Sequence, residues 1–301
     1  MDIEDDMIMT GIKELDTLEH VPTKNELYIL MAAPGRGKSW FLVHLARFAL
    51  LQRKKVLHIS LELSEKRLIG RYFQCMFGMA TDPNKINRYV TEVVVDKFGG
   101  VSGIDLREIL TDIPTLKDPN IQEVLIKELG DLYNTNLILR EFTTGSLTVR
   151  GLRAYLDNLE NFYNFKPDIL LLDYLDLMDI DIDKLRLDLG RTAVELRGLA
   201  QEKQLAMVTV AQCNRAGEGA KLLTRKNLGE DYSKVKTADV LITYNQSQEE
   251  KMRNLARLYI DKGRNNKDGD CIIITQNYSL GQFALQSLKM TNEQSYIDLL
   301  K

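Results

Sequence analysis

Cysteine is scarce in this chain, and its scarcity excludes two kinds of protein. The sequence has 301 residues but only 3 cysteines. Cys75, Cys213 and Cys271 stand far apart and lack the C-x-x-C spacing of a zinc site. The same separation gives no sign of a disulfide framework. A reduced, cytoplasmic setting is therefore expected.

Long apolar runs are also missing from the sequence. No stretch approaches the roughly 18 apolar residues that suggest a transmembrane helix. Residues 1–6 are acidic, where a signal peptide would be basic. These two absences predict a soluble intracellular protein that has no membrane partner.

Linkers and repeats are absent as well, and the net charge is small. No proline-rich or serine-rich linker and no internal repeat interrupts the sequence. With 28% charged and 44% hydrophobic residues, the composition is that of an ordinary globular protein. We therefore expect a single domain over residues 1–301. The net charge of -3 argues against non-specific coating of nucleic acid, although a local basic groove inside an oligomer would hardly change that sum.

A glycine-rich loop is the most informative feature that is present. It reads A-P-G-R-G-K-S over residues 33–39, after an apolar run at 27–31 and before an amphipathic segment at 40–51. Glycines allow the backbone N–H groups of such a loop to surround phosphate oxygens at the start of a helix. Ala32 occupies the place of the first glycine in the pattern G-x-x-x-x-G-K-[ST]. The alternative is an ordinary glycine turn before a helix.

The loop predicts a site for ATP, or another nucleoside triphosphate, together with Mg²⁺. The lysine of the pattern reaches the terminal phosphates and the hydroxyl residue after it ligates the metal, which assigns these roles to Lys38 and Ser39. The predicted nucleotide-binding residues are Pro34, Gly35, Arg36, Gly37, Lys38, Ser39 and Trp40.

Short apolar runs alternate with segments of helical period in the rest of the chain. The runs of strand length are 27–33, 56–61, 137–139, 169–172, 206–211, 240–243, 258–260 and 271–275. The main helical segments are 65–77, 148–163 and 185–203. This alternation predicts an α/β fold with a mostly parallel central sheet flanked by helices. Short turns at Gly269-Asp270 and Leu280-Gly281 predict an antiparallel extension at one edge of the sheet.

Three polar residues follow apolar strands and would meet where the glycine loop lies, because ligands bind open parallel sheets at the carboxyl ends of the strands. Asp173 is predicted to hold the magnesium, and Asp176 and Asp179 compete less well because they lie beyond the strand. Glu62 is the candidate base or water-positioning group, and Gln212 the candidate sensor of the terminal phosphate. The simpler alternatives are a turn or helix N-cap role for Asp173 and a helix N-terminal role for Glu62.

Two cations end a later strand. Lys262 and Arg264 are alternate residues after the strand at 257–261 and therefore point the same way. In a monomer they would form a solvated strand end. In a ring or filament they would project into the neighbouring subunit's site and stabilise transition-state charge, as arginine fingers do.

Two stretches differ from this alternating core. Residues 79–134 contain polar breaks around short helical pieces, which predicts an insertion or lid between core strands. The breaks are Pro83, Gly99-Gly100, Pro114 and Pro119. Residues 215–237 form a basic loop of poor periodicity.

Several short motifs occur in a fixed order along nearly the whole chain. They are T-G-I-K-E-L-D at 10–16, the glycine loop at 33–39, S-L-E-L-S at 60–64, L-D-Y-L-D-L-M at 172–178, Q-C-N-R at 212–215, A-D-V at 238–240 and K-G-R-N at 262–265. Together they resemble the motor domain of the DnaB-type replicative helicases, a family with a RecA-like P-loop NTPase core. The D-Y-L-x-L-M and K-x-R-N elements are far more specific than the glycine loop.

The resemblance implies a homo-oligomeric ring, usually a hexamer, that hydrolyses nucleoside triphosphate between subunits. Such a ring pulls single-stranded DNA through its centre and unwinds forked duplex DNA during replication, with a primase or loader as possible partners. It also implies that Glu62 is the catalytic carboxylate, Asp173 the magnesium acid and Gln212 the sensor, while Lys262 and Arg264 act in trans. Family members carry an N-terminal helical collar, and this chain starts just before Thr10. A phage-encoded helicase, in the host cytoplasm, or an excised motor domain is therefore expected.

The resemblance also implies two DNA-contacting loops, one after Met178 and one after Arg215. The first reads D-I-D-I-D at 179–183 and is acidic, which makes it a poor neighbour for phosphates. DNA contact is therefore expected mainly from the second loop, although a solvated basic loop is the alternative. Its candidate DNA-binding residues are Arg215, Lys221, Arg225 and Lys226.

Two other functions share these features. A RecA-like recombinase that forms a filament would have the same core, and a nucleotide-gated adaptor of a replicative helicase would explain the acidic first loop. Fold analogy alone does not choose between them. The motif series favours the helicase.

Overall fold

The computed structural model describes residues 6–97, 99–109, 115–180, 185–213, 222–225, 232–264 and 267–300. Its strands are β1 (Leu27–Ala32), β2 (Val56–Ser60), β3 (Tyr89–Val95), β4 (Val101–Glu108), β5 (Leu137–Glu141), β6 (Ile169–Asp173), β7 (Ala206–Gln212), β8 (Val240–Asn245), β9 (Leu255–Lys262), β10 (Cys271–Asn277) and β11 (Gln282–Lys289). Its α-helices are α1 (Lys13–Thr17), α2 (Lys38–Leu51), α3 (Glu65–Phe77), α4 (Pro119–Asn136), α5 (Val149–Tyr163), α6 (Leu185–Lys203), α7 (Tyr232–Val235), α8 (Gln248–Met252) and α9 (Glu293–Leu300).

A central sheet has the strand order β11-β10-β9-β8-β1-β7-β6-β2-β5. The six strands from β8 to β5 are parallel, whereas β9, β10 and β11 are each antiparallel to the strand before them. The predicted α/β fold with an antiparallel extension at one edge is therefore confirmed. Because neighbouring parallel strands end at the same side, the ends of β1, β2, β6 and β7 form one edge, which we call the carboxyl edge.

The central strands are apolar throughout because helices cover both faces of the sheet. Every residue of β1, β2, β6 and β8 is buried, as expected for parallel strands packed on both sides. One core layer contains the buried face of α2, and the other contains those of α5 and α6. The glycine loop and the strand ends are thus mounted on a rigid scaffold.

The helix after the glycine loop differs from its prediction. The sequence predicts an amphipathic segment at 40–51, but α2 starts at Lys38 and is buried over most of its circumference. It packs on the sheet, including its edge strand β11, and is also covered by α3. The start of α2 is therefore held from several sides, which fixes the position of the loop before it.

The segment 79–134 also differs from its prediction. The sequence predicts short helical pieces around polar breaks, but α4 is a helix of 18 residues, and β3 and β4 pair as an antiparallel hairpin. Val93 of β3 packs in a small core with Leu255 and Tyr296. The Gln286 side chain completes the docking, since it accepts from the Val93 N–H at 2.8 Å and donates to the Val93 carbonyl at 2.9 Å. The hairpin is thus fastened to the antiparallel extension.

Candidate nucleotide site

The glycine loop joins β1 to α2, and two of its residues adopt left-handed backbone conformations. Gly35 has φ +68° and Gly37 has φ +82°, a region that favours glycine. A Cβ atom on Gly37 would also lie 2.2 Å from the Tyr278 hydroxyl oxygen. Among the described residues no side chain caps α2 at Gly37, and the first turn of α2 carries no acidic residue. The first N–H groups of α2 are therefore available to an anion.

Lys38 and Ser39 begin α2 and are both 8% exposed. The Lys38 ammonium donates to the Ala33 carbonyl at 3.3 Å and lies 5.6 Å from the centre of the Tyr174 ring. Burial lowers the pKa of Lys38, while Glu62 and other nearby acids oppose that change. The ammonium is thus enclosed near carboxylates and makes only one long hydrogen bond to the described residues, so it can turn to phosphate oxygens.

Asp173 ends β6 and is fully buried. Within the described residues, neither carboxylate oxygen has a hydrogen-bond partner. Burial raises the pKa of Asp173 to about 6, and Glu62 adds to this effect. The Ser39 hydroxyl lies beside the carboxylate and lowers the pKa of Asp173, as do Arg71 and Lys38. The Ser39 hydroxyl is, however, not positioned to donate a hydrogen bond to either carboxylate oxygen. A buried carboxylate without partners is costly, and a bound cation would remove that cost.

Glu62 lies two residues beyond β2 and is exposed. The strand ends at Ser60, slightly earlier than predicted, and in the turn that follows the Ser60 hydroxyl accepts from the Leu63 N–H at 2.8 Å. At the start of α3, Glu141 accepts from the Glu65 N–H at 3.0 Å. Glu141, rather than Glu62, therefore accepts the hydrogen bond from the N–H group at the start of α3. The charge of Glu62 instead acts on Lys38.

Gln212 ends β7 and lies directly beside Ala32 of β1 in the parallel register. Its backbone N–H donates to Asp176 at 3.2 Å. The Asp176 carboxylate thus accepts a hydrogen bond, whereas the Asp173 carboxylate accepts none from the described residues. Gln212 therefore stands at the carboxyl edge next to the glycine loop, together with Asp173.

Arg71 belongs to no recognised sequence motif, but the fold brings it to the same place. It lies on α3, and its guanidinium carbon is 5.0 Å from the centre of the Trp40 ring. Trp40 in turn stacks on Tyr278 with ring centres 6.0 Å apart. Burial lowers the pKa of Arg71, whereas Asp173 and Glu62 oppose that change. An arginine between an aromatic platform and the two acids is thus part of this site.

Lys262 and Arg264 lie at the other side of the sheet. Because β9 is antiparallel to β8, it ends where β1 begins, and we call this side the amino edge. Lys262 donates to the carbonyls of Lys236 and Ala238. Arg264 pairs with Glu26 at 2.8 Å. These two cations therefore do not belong to their own chain's glycine-loop site.

One of the four candidate DNA-binding residues lies in the described part of the chain. Arg225 pairs with Asp268 at 2.6 Å and approaches Asp261 at 3.6 Å, so acids of its own chain already hold it. The candidates Arg215, Lys221 and Lys226 lie outside the described residues.

The described residues hold no ready-made metal cluster. Among them, no group of three or more His, Cys, Asp or Glu side chains is arranged to hold a metal ion. A magnesium ion at Ser39 and Asp173 would therefore need phosphate oxygens as further ligands. Over the same residues, no helix combines the length and apolarity needed to cross a membrane.

The sheet order and the glycine loop at the β1–α2 junction define the chain as a P-loop protein with a RecA-like core. The family model of the DnaB-like helicase C-terminal domain matches residues 7–88 and 91–284. The chain therefore belongs to this family, and membership implies nucleotide binding.

Relatives from bacteria and phage agree with this assignment. The chain is 24% identical over 273 residues to the replicative DNA helicase DnaB of Haemophilus influenzae, covering 87% of this chain and 52% of that protein. It is 23% identical to the DnaB-like replicative helicase of Enterobacteria phage T4, over 80% of this chain and 47% of the relative. The chain thus spans about half the length of these curated relatives.

Two solved structures have the same fold. The first, an ATPase domain, superimposes with a TM-score of 0.69 at 18% identity, over 92% of this chain and 90% of that chain. The second, a DnaB-like replicative helicase described with its interactions with primase, gives a TM-score of 0.71 at 18% identity. It covers 92% of this chain and 61% of that chain.

Proposed function

We propose that this chain is the motor of a replicative DNA helicase that hydrolyses ATP, or another nucleoside triphosphate, with Mg²⁺. The observation that carries the proposal is Asp173, whose buried carboxylate has no hydrogen-bond partner among the described residues and lies beside the residues of the glycine loop. Membership of the DnaB-like helicase C-terminal domain family supports a helicase role for this arrangement.

The residues of the carboxyl edge have separate roles in binding the phosphates, holding the metal and activating water. Lys38 and the N–H groups of α2 bind the phosphates, and Gly37 allows the left-handed backbone conformation of the loop before them. Ser39 and Asp173 would hold Mg²⁺, which neutralises phosphate charge when bound. Glu62 orients the attacking water and accepts its proton, while Gln212 contacts the terminal phosphate.

The cations of the amino edge serve a second subunit. Lys262 ends β9 and Arg264 lies two residues beyond it, on the side of the sheet away from their own glycine loop, so an interfacial site is the one they can complete. This supports a homo-oligomeric ring, and we propose a hexamer. In it, Arg264 and Lys262 stabilise the charge that develops on the phosphates of the neighbouring site.

The substrate and partners follow from the same proposal. Single-stranded DNA passes through the ring, with the loop at 215–237 as the main contact. A primase is a candidate partner, because the interactions of a related structure with primase are described. The working location is the cytoplasm of the cell that replicates the DNA.

Unwinding of a forked DNA duplex with ATP and magnesium tests the proposal directly. The chain should separate the strands, and Lys38→Ala should abolish both unwinding and hydrolysis because the phosphates lose their cation. Hydrolysis without unwinding, unchanged by DNA, would overturn the helicase assignment and favour an adaptor. Filament formation with strand exchange would favour a recombinase.

A further inference from the structure

The Arg264 side chain is hydrogen-bonded to an acidic residue at the point where the central strand β1 begins. Its Nη1 atom donates to Glu26 Oε1 at 2.8 Å, and Glu26 immediately precedes β1. No other hydrogen bond of the Arg264 side chain to the described residues is found, and 45% of this side chain is exposed. One end of the guanidinium is thus anchored while its remaining N–H groups can meet another molecule.

Glu26 is a rigid anchor. Its N–H donates to the Thr23 carbonyl at 3.2 Å, and its own carbonyl accepts from the Met207 N–H at 3.0 Å. The side chain is 12% exposed. Burial raises the pKa of Glu26, and the contact with Arg264 opposes that change. The backbone of Glu26 is therefore held in place, and the charge of its carboxylate is balanced by the arginine.

Asp239, a second acid near Arg264, already accepts hydrogen bonds from other groups. Arg197 donates to it twice, at 2.8 and 2.9 Å, and the Leu27 N–H donates to it at 3.0 Å. Arg264 comes no closer than 3.7 Å to this carboxylate. Arg197 balances the charge of Asp239, so the orientation of Arg264 depends on Glu26.

We propose that Glu26 is a positioning residue that orients Arg264 toward the nucleotide phosphates of the adjacent subunit. This inference rests on the proposed function, in which Arg264 acts in trans. A long arginine side chain samples many rotamers, and anchoring one end at a fixed carboxylate directs the free N–H groups outward before the neighbour arrives. Glu26 itself touches neither nucleotide nor water in this scheme.

Mixed oligomers of two inactive variants test the inference. Lys38→Ala subunits have an inactive nucleotide site but an intact Arg264. Arg264→Ala subunits have an intact nucleotide site but lack the arginine that acts on the adjacent subunit. Mixing them should restore hydrolysis at interfaces where the two types meet. Glu26→Ala is then added to one partner or to the other.

The expected result is asymmetric. Glu26→Ala in the Lys38→Ala partner, which donates the arginine, should lower the restored kcat about 10-fold with KM changed less than about 2-fold. The same change in the Arg264→Ala partner should leave kcat within about 2-fold, because that subunit has no arginine to orient. Glu26→Gln, which keeps the acceptor but loses the charge, should fall between these values when placed in the donor.

Two results would overturn the inference in distinguishable ways. Equal losses from both placements would show that Glu26 only stabilises its own subunit. Failure of the original mixture to regain hydrolysis would instead contradict the proposed interfacial site itself. Glu202→Gln is the matched control, because Glu202 also accepts from an arginine, Arg153 at 3.0 Å, away from Arg264; in the donor it should leave the restored kcat unchanged. Thermal unfolding of each variant checks that it is folded.

Discussion

The two edges of the central sheet differ in how far their charged side chains are hydrogen-bonded within the chain. At the carboxyl edge, the buried carboxylate of Asp173 has no hydrogen-bond partner among the described residues, and Lys38 makes one long hydrogen bond. At the amino edge, Asp239 accepts two hydrogen bonds from Arg197, and Arg264 pairs with Glu26.

This difference indicates which edge is built to receive a ligand. A buried charge without a partner costs free energy, so the carboxyl edge is incomplete until another molecule supplies the missing contacts. The amino edge is complete within the chain, and its pairs keep the exposed cation in one orientation. One edge therefore receives phosphates, and the other presents a side chain to a second subunit.

The largest effect is expected when the exposed cation of the amino edge, Arg264, is removed. Arg264→Ala should lower hydrolysis by the assembled protein about 1,000-fold, as loss of an arginine finger does. Nucleotide affinity of each subunit should stay within about 3-fold, because Arg264 lies at the edge away from its own site. Steady-state turnover and binding of a fluorescent nucleotide analogue measure the two effects.

Arg153→Ala provides the control for that change, since it removes an arginine that pairs with Glu202 on the helical surface. It should leave both quantities unchanged. Normal hydrolysis by Arg264→Ala would show that Arg264 at the amino edge has no role in the reaction.

A smaller effect is expected at the carboxyl edge itself. Glu62→Gln should lower turnover about 100-fold with nucleotide binding retained, because the amide can no longer accept a proton from the attacking water. Single-turnover hydrolysis with the protein in excess over nucleotide measures it. Glu65→Gln changes the same residue type three positions later, where Glu65 accepts from the Glu141 N–H, and should leave turnover nearly unchanged. Equal losses from both variants would argue against a chemical role for Glu62.

The sequence predicted the parts of the molecule that one local pattern determines. Gly35 and Gly37 adopt the left-handed conformations that a phosphate loop requires, and the apolar run before Asp173 is a buried parallel strand. The position of such residues follows from strand ends alone, because parallel strands bring their carboxyl ends to one edge. Their chemical roles remain predictions that the variants above will test.

The parts that the sequence did not predict depend on distant contacts. The β3–β4 hairpin is stabilised by Gln286, which is 193 positions from its partner Val93, and most of its outer strand is exposed, so its apolar pattern is weak. Arg71 joins the site only because α3 packs beside α2. The pairing of Arg264 with Glu26 spans 238 positions. No window of sequence contains both members of these pairs.

The smallest predicted effect compares the same substitution at the two edges. Asp173→Asn removes a buried charge that has no hydrogen-bond partner among the described residues, so it should raise the free energy of unfolding by about 1 kcal/mol without nucleotide at pH 7. Asp239→Asn leaves Arg197 without its carboxylate, so it should lower that free energy by about 2 kcal/mol. Urea unfolding followed by circular dichroism measures both. Changes of opposite sign in the free energy of unfolding would mean that the carboxyl edge gives up stability to bind its ligand, whereas the amino edge does not. If both variants lowered this free energy, Asp173 would already have compensating contacts in the folded chain, and the two edges would not differ in this respect.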